Sequence, residues 1–122
     1  MLEEPAPDAV AALHELSATE LIAGFRAQQF SPSDVLDDVL SHIEVWEPHI
    51  KALYAFDPQG ARKAATSSTA RWQGGEPMGP LDGIPVTIKD NIATKGVPVP
   101  LGTATTKLVP AEADAPPVAR LR

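Results

Sequence analysis

Apolar residues recur at helical spacing in two adjacent stretches near the start of the chain. Leu21, Ile22 and Phe25 fall on one face of a helix that the spacing carries to about Gln28. Ser17-Ala18-Thr19-Glu20 marks its start as a capping box, in which the serine oxygen accepts from the amide three residues on and the glutamate reaches back. Leu16 and Leu21 are placed to staple across that cap. The arrangement repeats at once. Ser31 is a cap, Pro32 sits at the first helical position where its missing N–H costs nothing, and Asp34 is at the third. Phe30 and Val35 can staple. Val35, Leu36, Val39, Leu40, Ile43 and Trp46 then share one side, while Asp37, Asp38, Ser41, His42 and Glu44 lie elsewhere. Pro48 is expected to end this helix. The short connection predicts an antiparallel pair with one shared apolar seam.

Ala52 to Phe56 is short and apolar and predicts a strand. Asp57-Pro58 is a cap-plus-proline start for a third helix that Gly74-Gly75 stops. Its inward face is expected to be Ala61, Ala64, Ala65, Ser68 and Trp72. Gly79-Pro80-Leu81-Asp82-Gly83 has turn composition, because proline presets φ and glycine tolerates positive φ. The β-branched run from Ile84 to Ile88 predicts a second strand, with Pro85 near its first residue and Lys89 at its end. Val97-Pro98-Val99-Pro100 is extended but unsuited to a central strand. Asp114 to Arg122 looks like a helix start of about one turn, too short to be stable alone. Residues 1 to 9, acidic and carrying Pro5 and Pro7, predict a disordered tail. Residues 10–122 read as one domain segment.

Composition narrows the function classes. The chain has 122 residues, 43% of them apolar, which is enough for one core. No apolar run is long enough to span a bilayer, and the acidic start has no secretory pattern. There is no cysteine, so neither a disulfide framework nor thiolate chemistry is expected, which fits a cytoplasmic setting. With a net charge of −6 and no cluster of lysine and arginine, direct nucleic-acid binding is not expected. Nor is a membrane partner or a cofactor.

The block Gly79-Pro80-Leu81-Asp82-Gly83-Ile84-Pro85-Val86-Thr87-Ile88-Lys89-Asp90 resembles the lysine motif of the amidase signature family, G-P-L-x-G-I-P-x-x-x-K-D. The flanking helix starts at Ser17 and Ser31 and the closing Asp114 to Arg122 also resemble that family. The likeness runs from about Leu16 to Arg122. It implies an α/β fold: the amino-terminal part of an α/β/α sandwich with a mixed sheet, this segment supplying mainly helices and two or three short strands. It implies attack on a carboxylic amide by a Ser–cis-Ser–Lys triad, with Lys89 as the triad lysine. The family's two serines lie in a later glycine- and serine-rich loop. This sequence contains no such run before Arg122, so it reads as the front segment of an amidase and is expected to be inactive by itself.

The chemistry needs a lysine that can accept a proton. A serine hydroxyl is a weak nucleophile and loses its proton as attack occurs. Lysines ordinarily titrate near about 10.4, so a neutral one near pH 7 costs roughly 4 to 5 kcal/mol, which burial or a hydrogen bond must supply. The bland alternative pairs Lys89 with Asp90 in solvent. Asp90 as a close carboxylate would oppose the base role, so it is set aside. Ser67 and Ser68 lie mid-helix without a nucleophile elbow and read as surface and packing residues. Asp38 and His42, four apart, could share a metal, but no third ligand stands with them. His14 and His49 carry no signal. Gly74-Gly75 precedes a turn, so it reads as a helix stop and not a phosphate cradle.

Three functional readings follow. The first is an amidase that splits a small-molecule amide into acid and ammonia or amine. The second is the A-type chain of a tRNA-dependent amidotransferase, which shares the motif. The Val97-Pro98-Val99-Pro100-Leu101-Gly102-Thr103 run, differing from the family's usual threonine-rich run, favours the first. The third is a non-catalytic helical interaction module, whose open strands and apolar faces are covered by a second copy or by the remainder of the same protein.

Overall fold

A computed structural model describes residues 11–103 and 107–122. The tail expected at residues 1 to 9 lies outside the described residues. The chain divides into two compact units. The first comprises described residues 11–52 and 57–85; the second comprises 53–56, 86–103 and 107–122.

In the first unit a single 3-10 turn, Leu13–Glu15, leads into helix α1, Ala18–Arg26. Both halves of the predicted capping box form. Ser17 Oγ accepts from the Glu20 amide at 3.3 Å, and Glu20 Oε2 accepts from the Ser17 amide at 2.7 Å. The helix stops at Arg26 because Gln28 turns left-handed, at φ +53°, and Gln29 N–H closes back on Gly24 O. Helix α2, Pro32–Ile50, starts on the second box, with Ser31 Oγ accepting from the Asp34 amide and Asp34 Oδ2 from the Ser31 amide. Pro48 does not end α2. It sits in the last turn, where the helix forfeits one amide bond, and bonding resumes with Lys51 N–H to Glu47 O. Helix α3, Pro58–Gln73, starts with the Asp57 carboxylate accepting from the Gly60 amide and stops at Gly74 and Gly75 as expected.

The helix running closely beside α2 is α3, and not α1 as the short connection suggested. Ser33 bonds Thr69, while Asp37 pairs with Arg62. One contact moves forward along α2 as the other moves back along α3, so the two are antiparallel. Arg62 lies about one turn from the start of α3, so α2 beyond Ser41 outruns its neighbour. Trp46, expected on the buried side, is therefore 51% exposed, and Val45 and Ile50 are exposed with it. On α3, Ser68 and Trp72 are buried and Ala61 and Ala65 half-buried, whereas Ala64 faces out.

Leu21, Phe25, Val35 and Trp72 form the core of this unit, with Leu13, Leu16, Ile22, Phe30, Val39 and Ile84 packed around them. Both predicted staple pairs lie in this cluster. The Phe25 ring stands edge-on to Phe30 and tilted to Trp72, with centroids 5.8 Å apart in each case.

The second unit is held by loop contacts. Lys95 bridges Ala111 and Pro98 bridges Pro110, each as an isolated pair. Asp114 Oδ1 accepts from the Lys95 amide at 2.7 Å, and its Oδ2 lies 3.2 Å from Arg122 Nε. Helix α4, Pro116–Leu121, buries Val118. The strands expected at 52–56 and 84–88 are not formed among the described residues, which contain helices, turns and isolated bridges. Residues 84–89 do run without helix, turn or bend, yet a strand exists only through ladder bonds to a neighbour, and no neighbour runs along them.

Candidate functional site

The turn that precedes the lysine is the most heavily bonded part of the first unit. Asp82 is its hub. Its side chain is 6% exposed, and its carboxylate accepts from Arg71 Nε and Nη2 at 2.7 Å each, from Ser68 Oγ at 2.8 Å and from the Met78 amide at 2.9 Å. The Asp82 carbonyl accepts from Trp72 Nε1 at 2.9 Å. Ser68, Arg71 and Trp72 are successive positions along one side of α3, so a single helix face grips a single residue. The Arg71 guanidinium holds the Asp82 carboxyl well below the usual carboxylate range, with help from the Met78 amide and the Ser68 hydroxyl against the opposing effect of burial. The next residue, Gly83, has φ +90°, and a Cβ there would stand 2.7 Å from both Pro32 Cγ and Ser68 Oγ. Only glycine fits that conformation in that space. Ile84 then packs on the core.

Lys89 lies in the second unit and is exposed, and its carbonyl accepts from the Ile92 amide at 3.0 Å. Its ammonium has no hydrogen bond or ion pair among the described residues, and the solvated Lys89–Asp90 pair does not form. The burial that a base would need is not supplied by the described residues. Two open grooves of the first unit, about 420 and 320 Å³, lie beside Trp72 and Gln28, and Lys89 lines neither.

The other candidates take structural roles. Ser67 is exposed and bonds back to Lys63 O, while Ser68 is buried on Asp82. Asp38 and His42 do not make a metal site, and no group of three potential ligands occurs among the described residues. Asp38 instead receives the His14 amide at 2.8 Å, with His14 Nδ1 2.7 Å from the same oxygen, and the His14 and His42 rings stack at 4.0 Å. These contacts lower the Asp38 carboxyl, the His14 amide most. His14, which carries no signal in the sequence, thus ties the leading turn to α2. Asp82 also escapes sequence reasoning, since the family pattern leaves its position unspecified. The signal available is an arginine and a serine three apart on the inward face of α3.

The chain matches the amidase family model over residues 34–122. It is 34% identical over 90 residues to an acylamidase of Rhodococcus erythropolis, covering 74% of this chain and 19% of that protein. It is 38% identical over 91 residues to the A-type chain of a glutamyl-tRNA(Gln) amidotransferase of Chloroflexus aurantiacus, covering 75% and 19%. Among solved structures it resembles an inhibitor-bound vestigial protein complex bearing on the origins of an s-triazine catabolic enzyme. There the TM-score is 0.80 at 31% identity, over 87% of this chain and 23% of that one. A bacterial aryl acylamidase of the amidase signature family gives a TM-score of 0.68 at 33% identity, over 74% and 19%. The chain spans about a fifth of the length of the curated relatives it matches. A match over most of its residues, joined to a fold likeness at the same level of identity, places the chain in the amidase signature family.

Proposed function

We propose that this chain serves an amidase that hydrolyses a carboxylic amide to acid and ammonia or amine through a serine acyl-enzyme, with Lys89 as the triad base. The observation that carries the reading is the unbroken motif from Gly79 to Asp90 inside the matched region. In this chemistry Lys89 draws a proton through a bridging cis-serine as the second serine attacks the amide carbonyl. The C–N bond breaks as that proton is returned to the leaving nitrogen, and water then hydrolyses the ester. These 122 residues contain no glycine- and serine-rich run of the kind that carries the two serines, so under this proposal the stretch is expected to be inactive by itself. The exposed side of the segment, Lys89 included, is covered in the working enzyme by the rest of an α/β/α sandwich.

A second reading is favoured by the several relatives named as A-type chains of glutamyl-tRNA(Gln) amidotransferases, at 33 to 40% identity. In it the same triad takes ammonia from glutamine and a partner protein consumes it. The test is to express the whole reading frame that carries this segment and assay simple amides and glutamine. Turnover of simple amides that Lys89→Ala abolishes supports the amidase. Turnover confined to glutamine supports the amidotransferase. Full activity in Lys89→Ala rejects the triad role of Lys89, and no turnover of either substrate leaves a non-catalytic module.

A further inference from the structure

Inside the second unit, the stretch that follows Lys89 is tied to the segment that leads into α4. Lys89 O accepts from the Ile92 amide at 3.0 Å, so the lysine itself opens a turn. Directly after that turn, Ala93 O accepts from the Ala115 amide at 2.8 Å, and the Lys95 amide donates to Asp114 Oδ1 at 2.7 Å. The Gly96 amide donates to Ala111 O at 2.9 Å, and Val97 O accepts from the Ala111 amide at 3.1 Å. The ties at Ala93, Gly96 and Val97 run from backbone to backbone and ask nothing of the side chains. The tie at Lys95 depends on one carboxylate. The Asp114 side chain is 16% exposed, and its second oxygen lies 3.2 Å from Arg122 Nε. Arg122 is itself 61% exposed, so that ion pair adds little. The bond to the Lys95 amide is charge-assisted and largely shielded from water, where such bonds are strongest.

From this we infer that Asp114 is a positioning residue for Lys89: by holding the Lys95 amide it anchors the loop from which the Lys89 turn is built. The inference rests on the amidase reading above. Lys89, its turn, Lys95 and Asp114 all belong to one compact unit. The Lys89 ammonium has no hydrogen bond or ion pair among the described residues, so within this unit its place is set by its backbone. That backbone is held through Ile92, and the residues just beyond Ile92 are held by Ala115 and Asp114. A misplacement of about 1 Å at a reacting group can cost on the order of 100-fold in rate.

The experiment compares variants of the whole expressed protein by amide turnover and by hydrogen exchange. Asp114→Ala removes the acceptor and is expected to lower kcat by about 10- to 100-fold with KM changed less than about 2-fold. Asp114→Asn keeps an oxygen for the Lys95 amide, and the exposed Arg122 can swing away, so kcat is expected within about 3-fold of wild type. Arg122→Ala removes the ion pair and leaves the acceptor, and is expected within about 2-fold. Asp114→Glu moves the carboxylate by one methylene and is expected to fall between Asp114→Asn and Asp114→Ala. It takes the place of Asp114→Ala if that variant does not fold. Exchange over residues 89–95 is expected to quicken in the variant that loses the acceptor, with α1 to α3 unchanged. Unchanged exchange there, a loss confined to KM, or an Asp114→Asn or Arg122→Ala as impaired as Asp114→Ala overturns the positioning role, as does a kcat that no variant lowers. A wild-type protein that neither turns over amides nor reacts with a serine-directed fluorophosphonate instead overturns the amidase reading itself, and the inference with it.

Discussion

Arg71 and Asp82 meet as a fork on a fork: Nε donates to Oδ2 and Nη2 to Oδ1, each at 2.7 Å. The carboxylate is nearly buried while the guanidinium stays about a third exposed. Removing the acceptor strands several donors at once. Asp82→Ala is expected to destabilise the chain by about 2 to 4 kcal/mol, read as a fall in the urea unfolding midpoint. A midpoint unchanged from wild type would show that the turn does not depend on this residue.

The same carboxylate makes stability depend on acid. Asp82, Asp38 and Glu20 all sit below their ordinary values, because Arg71, the His14 amide and the Ser17 amide respectively favour their charged forms. Unfolded, these groups take up protons near pH 4, so their contribution is fully present above that range and fades as the pH falls. Urea midpoints measured from pH 7 down to pH 3 should therefore decline, and Asp82→Asn should flatten the decline at its acid end. A wild-type curve that does not bend below pH 5 would contradict the linkage.

Gly83 tests the turn from the other side. An added methyl group meets a rigid proline ring and the Ser68 hydroxyl, in a backbone conformation that L side chains avoid. Gly83→Ala should cost roughly 2 kcal/mol or more, although alanine would ordinarily lower the unfolded chain's entropy and help. Calorimetry that finds the variant as stable as wild type would rule out the close approach.

Two aromatic residues of the first unit should behave in opposite ways. Phe25 is 1% exposed and touches both Phe30 and Trp72, so Phe25→Ala should cost about 3 to 5 kcal/mol. Trp46 lies beyond the reach of α3, so Trp46→Ala should shift stability by no more than about 0.5 to 1 kcal/mol. Equal losses would mean that the end of α2 is covered after all.

Lys89→Ala separates stability from function. The exposed side chain supports nothing in this chain, so the melting temperature of the 122-residue polypeptide should hold within about 2 °C. The proposed hydrolase carrying the same substitution should lose its amide turnover. A large fall in melting temperature would assign Lys89 a structural role instead.

Much of the local structure is legible because it is written in short-range chemistry. Ser17 with Glu20, Ser31 with Asp34, and Asp57 with Gly60 each satisfy helix-end groups within three residues, so short-range spacing reveals them. The end of α2 departs from expectation because a proline breaks a helix in its interior, whereas near a terminus Pro48 removes a single bond. The two expected strands are absent because β-branched composition describes only one side of a ladder. His14 and Asp82 escape the sequence for a shared reason: their partners lie 24 and 11 positions away, and no local pattern announces such a meeting.

Caps, apolar helix faces and the motif from Gly79 to Asp90 were determined by the sequence, since each depends on residues only a few positions apart. Which helix lies beside α2, how far that cover extends, and the gathering of Ser68, Arg71 and Trp72 around Asp82 were decided only by tertiary structure. A buried carboxylate chooses its partners by three-dimensional proximity and by the cost of leaving any of them unpaired. Neither quantity exists until the helices have packed.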